Sequence, residues 1–497
     1  PVVWLWFAPY AGLVTQTREA LVEQCPGLRI RDVTKDREAT GTRDGDVFIQ
    51  TWAAVAASNK DARKVRRTSE AALSFDDMIA SLRDAGFFVG VVIDEAHLNF
   101  GASAKAAAEF YLEHIRPDFT ILATATPNDE KLDAFERTAG IEVASRVVVP
   151  RSEVVDAGLN KVGLKLGVIR FRDGDRDLID NEQATLQAGW TQHNRVRARL
   201  EERGLAISPL MLVQVENKAE GGEDPVKRVR DKLIEIGVEE SAIATHTSGE
   251  PDPDFHSLAY DPDKHVLIFK VAVATGFAAP RAWTLVSVRP NRGRDFGLQI
   301  VGRILRVHPS VRPIHGQDPL LDSGYVLLTD PEMQTGLQAA VDELKAVRES
   351  IELITDNLDV YEFGNPDAPI DMKDVRPKPP FMPTPPQTSD DRQQRLSDLI
   401  DQGVVPPHVR NMPEAEQDRA IIVGETWLHQ ISDTPLFGDL PESPRPEIEA
   451  QPAKPKFRAY PLRQDLDLPA ALIRELPPDP RRLNDLVHDI AHEFCRA

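Results

Sequence analysis

Only two cysteines occur in 497 residues, Cys25 and Cys495, near opposite ends of the chain. So sparse a supply excludes a disulfide scaffold and suits a reducing cytoplasm. No apolar run reaches membrane length and no charged-then-apolar segment opens the chain, so no membrane partner is expected. Basic residues are in deficit, with 59 Lys and Arg against 79 Asp and Glu and a net charge of −20. The chain as a whole repels nucleic acid, and any site for it must be a local basic groove. Also missing is any Gly-Lys dipeptide, so the phosphate loop G-x-x-x-x-G-K-[ST] has no match.

What is present is a globular composition: 41% hydrophobic and 28% charged residues, in a chain too long for one core. One stretch organises the rest. Val91-Val92-Ile93 runs straight into Asp94-Glu95, followed by Ala96-His97. Three β-branched residues before two carboxylates read as a buried strand with an acidic tip, the layout of a magnesium-holding edge in a nucleotide-hydrolysing α/β domain. There Asp94 would hold Mg²⁺ through its water shell, and Glu95 would polarise an attacking water. The alternative is a surface Asp-Glu pair opening a helix.

Around this stretch, strands are expected at 2–7, 46–49 and 120–123, with helices ending near Gln24, over 75–85 and over 104–115. Strand and helix alternating at this spacing predict a doubly wound parallel sheet. A joining stretch near 150–160 leads to a second unit. It has helices over 182–203, 225–236 and 296–307, and strands over 210–215, 242–245, 265–273, 282–288 and 324–328. A long helix over 332–353 follows, then a proline-crowded linker over 377–386, a short docking helix with Trp427 over 419–431, and a second proline-rich stretch over 441–455. A terminal helix carries Leu483, Leu486, Val487, Ile490 and Phe494 on one face, leaving His488 and His492 as solvent-facing histidines. The expected fold class is α/β: two tandem parallel-sheet domains over 1–150 and 151–355. Beyond them, 356–497 is expected to be a proline-rich linker and a small, mostly helical region.

In the second unit, Gln299, Gly302, Arg303 and Arg306 are three or four apart and would share a helix face. Two guanidiniums there could stabilise charge on a transferring phosphoryl group; the alternative is two solvated arginines. Arg281, Arg289, Arg292 and Arg294 gather nearby and could supply the local positive field. The basic loop Lys60, Arg63, Lys64, Arg66 and Arg67 is the next candidate. Glu343-Leu344-Lys345 matches a nuclease Glu-x-Lys pattern, but in a helical context.

Asp94-Glu95-Ala96-His97, Thr124-Ala125-Thr126, 274–280 (Ala-Thr-Gly-Phe-Ala-Ala-Pro) and the Gln299–Arg306 set together resemble motifs II, III, V and VI of superfamily 2 DEAH-type helicases, in order. Ala8-Pro9 with Gln16 is similar to motif Ia, Thr51 to the threonine of Ib, and 209–215 to motif IV. The resemblance covers 1–330 and is closest to the helicase part of type III restriction enzyme Res subunits. It implies two RecA-like domains, ATP and Mg²⁺ as cofactors, and DNA as partner with RNA as the alternative. A methyltransferase or nuclease subunit would be a further partner.

On that resemblance Asp94 and Glu95 form the magnesium and water-activating pair, and Arg303 and Arg306 reach the phosphates. His97, Thr124, Thr126, Gly276, Gln299 and Gly302 couple nucleotide state to domain closure. Pro9, Thr51, Thr275, Arg292 and Arg294 contact nucleic acid. Two departures stand out. Motif V carries Ala278 where an acidic residue is usual, and the phosphate loop is absent. That loop and its helix need on the order of 20–30 residues upstream of motif Ia, so the chain is read as missing its N-terminal end and is expected to be inactive alone as an ATP hydrolase. The expectation is an ATP-dependent helicase or translocase core, with a non-hydrolysing nucleic-acid-binding scaffold as the alternative.

Overall fold

The apolar runs read from the sequence become parallel strands because burial on both faces leaves no room for alternation. In this computed structural model the described residues are 1–9, 11–33, 36, 41–52, 54, 74–94, 110–124, 133, 136–137, 144–217, 222–246, 258, 261–270, 279–289, 300–329, 337–366, 375–377, 383–432 and 436–437. Two units result, the first built chiefly from Pro1–Pro9 and Thr17–Gly140, the second chiefly from Ile141–Asp439.

The first unit holds β1 (Val2–Ala8), β2 (Ile30–Asp32), β3 (Val47–Thr51), β4 (Phe88–Asp94) and β5 (Phe119–Ala123). They form one sheet in the order β2-β3-β1-β4-β5, every pair parallel. Helix α1 (Ala11–Gln24) follows β1, and α2 (Phe75–Asp84) precedes β4. Ser74 caps α2 by accepting the Asp77 N–H at 3.1 Å, and Phe75, Met78, Ile79 and Leu82 bury its inner face. Gly86, at φ +84°, closes the helix in the left-handed conformation that its missing Cβ permits. Of the helix expected over 104–115, the described part (Phe110–Ile115) is a π-helical turn.

The second unit holds β6 (Gly163–Phe171), β7 (Leu210–Gln214), β8 (Ile243–His246), β9 (Val266–Phe269), β10 (Ala282–Ser287), β11 (Ser323–Thr329), β12 (Leu358–Asn365) and β13 (Val375–Pro377). This sheet too is parallel throughout, in the order β13-β12-β6-β11-β10-β7-β9-β8. Helices α3 (Asn181–Glu202) and α4 (Pro225–Glu235) follow β6 and β7, and α5 (Leu337–Glu352) follows β11. Strand alternation sorts the two faces. Met211 and Val286 meet α3, where a Cβ on Gly189 would lie 2.2 Å from Val286. Leu210, Leu212 and Leu285 point the other way, into a core shared with Ile300, Val301, Ile304, Leu344, Val347 and Ile351.

Past residue 355, where the sequence reads a linker, two further strands extend the sheet on the β6 side. β6 and β12 escaped sequence reading because each carries a charge inside its run: Arg170 donates to Glu362 at 2.6 Å, both largely buried. Residues 383–387 have no regular structure. Helices α6 (Ser389–Asp401) and α7 (Glu414–Ser432) then pair through Arg392–Asp418 at 2.5 Å and Arg395–Glu425 at 2.7 Å. α7 is the helix expected around Trp427. The indole is fully buried, donates to Gln187 Oε1 on α3 at 3.2 Å, and meets Phe171 edge-on at 5.6 Å between centroids. The basic loop at 60–67, the stretch at 441–455 and the terminal histidine helix lie outside the described residues. Among the described residues no helix is long and apolar enough to cross a membrane.

Candidate functional site

In a parallel sheet the crevice for ligands opens beyond the carboxyl ends of the strands, where the strand order reverses. In the first sheet the chain places β2 and β3 on one side of β1, then crosses to add β4 and β5 on the other. The reversal therefore falls between β1 and β4. Register aligns Ala8 with Thr51, Phe7 with Ile93, and Asp94 with Ala123. Thr51, Ala8, Asp94 and Ala123 thus stand side by side at the ends of four neighbouring strands, with Pro9 and Thr124 one residue further on. At about 4.8 Å per strand the row is roughly 14 Å long.

Asp94 is half-buried on top of Val91, Val92 and Ile93, all of them core residues. Thr51 accepts the Ala54 N–H at 3.3 Å at the end of β3. Among the described residues no cluster of three or more His, Cys, Asp or Glu could hold a metal ion directly. Mg²⁺ does not require one, since it keeps most of its waters and takes one or two carboxylates plus ligand phosphates. Asp94 fits that role. Glu95, His97 and Thr126, expected beside it, lie outside the described residues.

The second sheet carries a polar edge that sequence reading missed. β7, β10 and β11 are buried throughout and end in Gln214, Ser287 and Thr329. The Ser287 hydroxyl donates to Gln214 Oε1 at 2.9 Å, and the Thr329 hydroxyl donates to the Ser287 carbonyl at 3.4 Å. The signal was available: each apolar run ends in one uncharged polar residue. Thr275 and Gly276 lie outside the described residues.

The arginine segment differs from expectation. The helix over Gly302–Ile304 stops before Arg306, so Arg306 does not share its face, and Gln299 lies outside the described residues. Arg306 instead forms an antiparallel bridge with Asn160 and leaves its side chain exposed. Backbone pairing from upstream ends the helix: Lys161 N–H donates to Leu305 O at 2.6 Å, and Val307 N–H to Leu159 O at 3.0 Å. Burial pushes the Lys161 ammonium down to about 7, with Asp322 opposing.

Arg281 must be removed from the expected basic groove. Only 5% exposed, it sits at the amino end of β10 and donates to the carbonyls of Ser208, Leu258 (3.2 Å) and Asp261 (2.6 Å). A guanidinium spent on carbonyls at that end of the sheet is a structural tie. Burial pushes it down to about 10, with Asp261 opposing. Arg292 and Arg294 lie outside the described residues.

No family model matches the chain, and no curated protein matches it. Among solved structures it is similar to S. cerevisiae Dbp5 bound to RNA and ADP BeF3, at 13% identity over 72% of this chain and 78% of that one, with a TM-score of 0.41. It is similar to the Mycobacterium smegmatis helicase Lhr bound to ssDNA and AMP-PNP, at 14% identity over 72% and 43%, TM-score 0.42. A third is the fragment structure of a putative HsdR subunit of a type I restriction enzyme from Vibrio vulnificus, at 14% identity over 73% and 57%, TM-score 0.39. The chain spans less than two thirds of the length of the last two. Likenesses this distant assign no activity.

Proposed function

We propose that the chain is the core of an ATP-driven nucleic-acid helicase or translocase of DEAH-type superfamily 2, related to type III Res subunits. Its polymer is DNA and its setting a cytoplasmic restriction or phage-defence system, with a methyltransferase or nuclease subunit as partner. One observation carries this reading: Asp94 ends a buried strand at the reversal point of a parallel sheet, level with Thr51 and one residue short of Pro9 and Thr124.

A bound Mg²⁺ would supply charge neutralisation for the phosphates of ATP. Asp94 would hold that ion by accepting hydrogen bonds from its waters, its half-burial keeping the carboxylate oriented. Glu95 would accept a proton from the water attacking the γ-phosphate. Arg303 and Arg306 would answer phosphate charge with planar N–H forks. Pro9, Thr51 and Thr275 would meet the nucleic-acid backbone, with Arg292 and Arg294 adding positive charge. Thr124, Thr126, His97, Gly276, Gln299 and Gly302 would transmit nucleotide state.

DNA-stimulated ATP hydrolysis tests the proposal in a protein with a phosphate loop supplied ahead of this chain, since without that loop turnover should be negligible. Glu95→Gln should keep nucleotide binding and lower kcat by roughly 10²-fold or more, because water activation acts mainly in the transition state. A rise in KM with kcat unchanged would remove Glu95 from that role. Nucleic-acid binding that ignores ATP even with that loop supplied would favour the scaffold instead.

A further inference from the structure

Lys161 is an unusual lysine. It is 2% exposed, and its ammonium lies against three backbone carbonyls: Ala282 at 3.1 Å, Ile304, and Arg306 at 3.0 Å. The face of the Trp283 ring lies 4.6 Å from the nitrogen. An ammonium has three N–H bonds in a fan, and here each has one carbonyl to meet. Two of those carbonyls belong to the exit of the arginine segment, and the third to the first residue of β10. Burying a lysine is costly unless its donors are satisfied, and a residue with a purely apolar duty would be apolar.

The backbone around Lys161 makes the same connection. Leu159 and Lys161 pair with Val307 and Leu305, and Asn160 bridges Arg306. Val162 N–H is tied to Asp322 O at 2.8 Å, and the Asn160 carbonyl lies 2.9 Å from the His315 ring. The upstream side of this small antiparallel clamp is therefore anchored in the Asp322 and His315 region, and the Lys161 ammonium ties it to β10.

We propose that Lys161 is a positioning residue: its ammonium holds the backbone pairing that ends the Gly302–Ile304 helix and so fixes the directions in which Arg303 and Arg306 leave the backbone. This rests on the phosphate-directed role proposed above for those arginines. Methionine at 161 fills much of the same space but removes the donor that these three carbonyls share. Glutamine keeps two N–H donors and should retain part of the clamp.

Hydrogen–deuterium exchange on the full nucleotide-free chain separates this from a general core role. In Lys161→Met, exchange at 302–307 should rise at least about tenfold, the Val307 amide included, while the central amides of β7, β10 and β11 keep their protection. Lys161→Gln should give a smaller rise at the same residues, and it carries the test if the methionine variant does not fold. Unchanged exchange at 302–307, or a rise spread evenly over the sheet, would overturn the proposal. Turnover, measured with a phosphate loop supplied ahead of the chain, is the second arm. If Arg303→Ala slows ATP hydrolysis and Lys161→Met does not, the positioning role is overturned. If exchange rises locally but no turnover depends on Arg303, the clamp stands and the phosphate-directed reading fails on its own.

Discussion

Trp427→Ala measures how firmly the C-terminal helices belong to the second unit. The indole is fully buried, its N–H is bound by Gln187 on α3, and its ring meets Phe171 on β6. Replacing a buried tryptophan by alanine costs about 3–5 kcal/mol through lost burial and the cavity left behind. The orphaned Gln187 oxygen adds about 1 kcal/mol. Neighbouring ties share the load: Gln430 exchanges hydrogen bonds of 2.8 and 3.1 Å with Gly364 on β12, and Arg195 donates to the Ile431 carbonyl at 2.8 Å. At about 2–4 °C per kcal/mol for a domain of this class, the melting temperature should fall by at least about 6 °C. Calorimetry should show the whole second unit moving as one transition. A shift under about 2 °C, or a separate early transition with the main one unmoved, would show that α7 is an appendage.

Two further outcomes follow from buried charge. Burial first, then His265, Arg197 and Arg281, pushes His193 down to about 3. The native imidazole then stays neutral while the unfolded one gains a proton below about 6.5, so stability is lost as pH falls from about 6.5 toward 3. The slope is about 1.4 kcal/mol per pH unit. Urea titrations at pH 7.5 and 5.5 should show that loss in the wild-type chain and a flatter profile in His193→Gln; identical profiles would contradict it. Arg170→Met strands the buried Glu362 carboxylate and should cost about 3 kcal/mol or more in a urea melt. Adding Glu362→Leu should recover most of that, and a double variant as weak as the single one would refute the pairing argument.

The sequence made most of both sheets legible, because strands such as β4, β7 and β10 are largely apolar runs. It hid β6 and β12, whose facing charges cancel only when the strands are paired. Asp94 was legible because a carboxylate that ends a buried β-branched run must stand where the strand leaves the core, at the sheet's edge. Arg306 could not be placed, since the helix that should carry it is stopped by Leu159–Lys161, far upstream in sequence. Arg281 shows the limit of counting charge: composition puts it in a basic cluster, and only geometry reveals carbonyls around its guanidinium.

The central claim is that Asp94 marks a magnesium–nucleotide site, and calorimetric titration with AMP-PNP, with and without Mg²⁺, of the chain with a phosphate loop supplied ahead of it tests that most directly. The account predicts binding that depends on Mg²⁺ in the wild-type chain and loses that dependence in Asp94→Ala, with the melting temperature of the nucleotide-free protein little changed. Equal Mg²⁺-dependent affinity in the two proteins would contradict it.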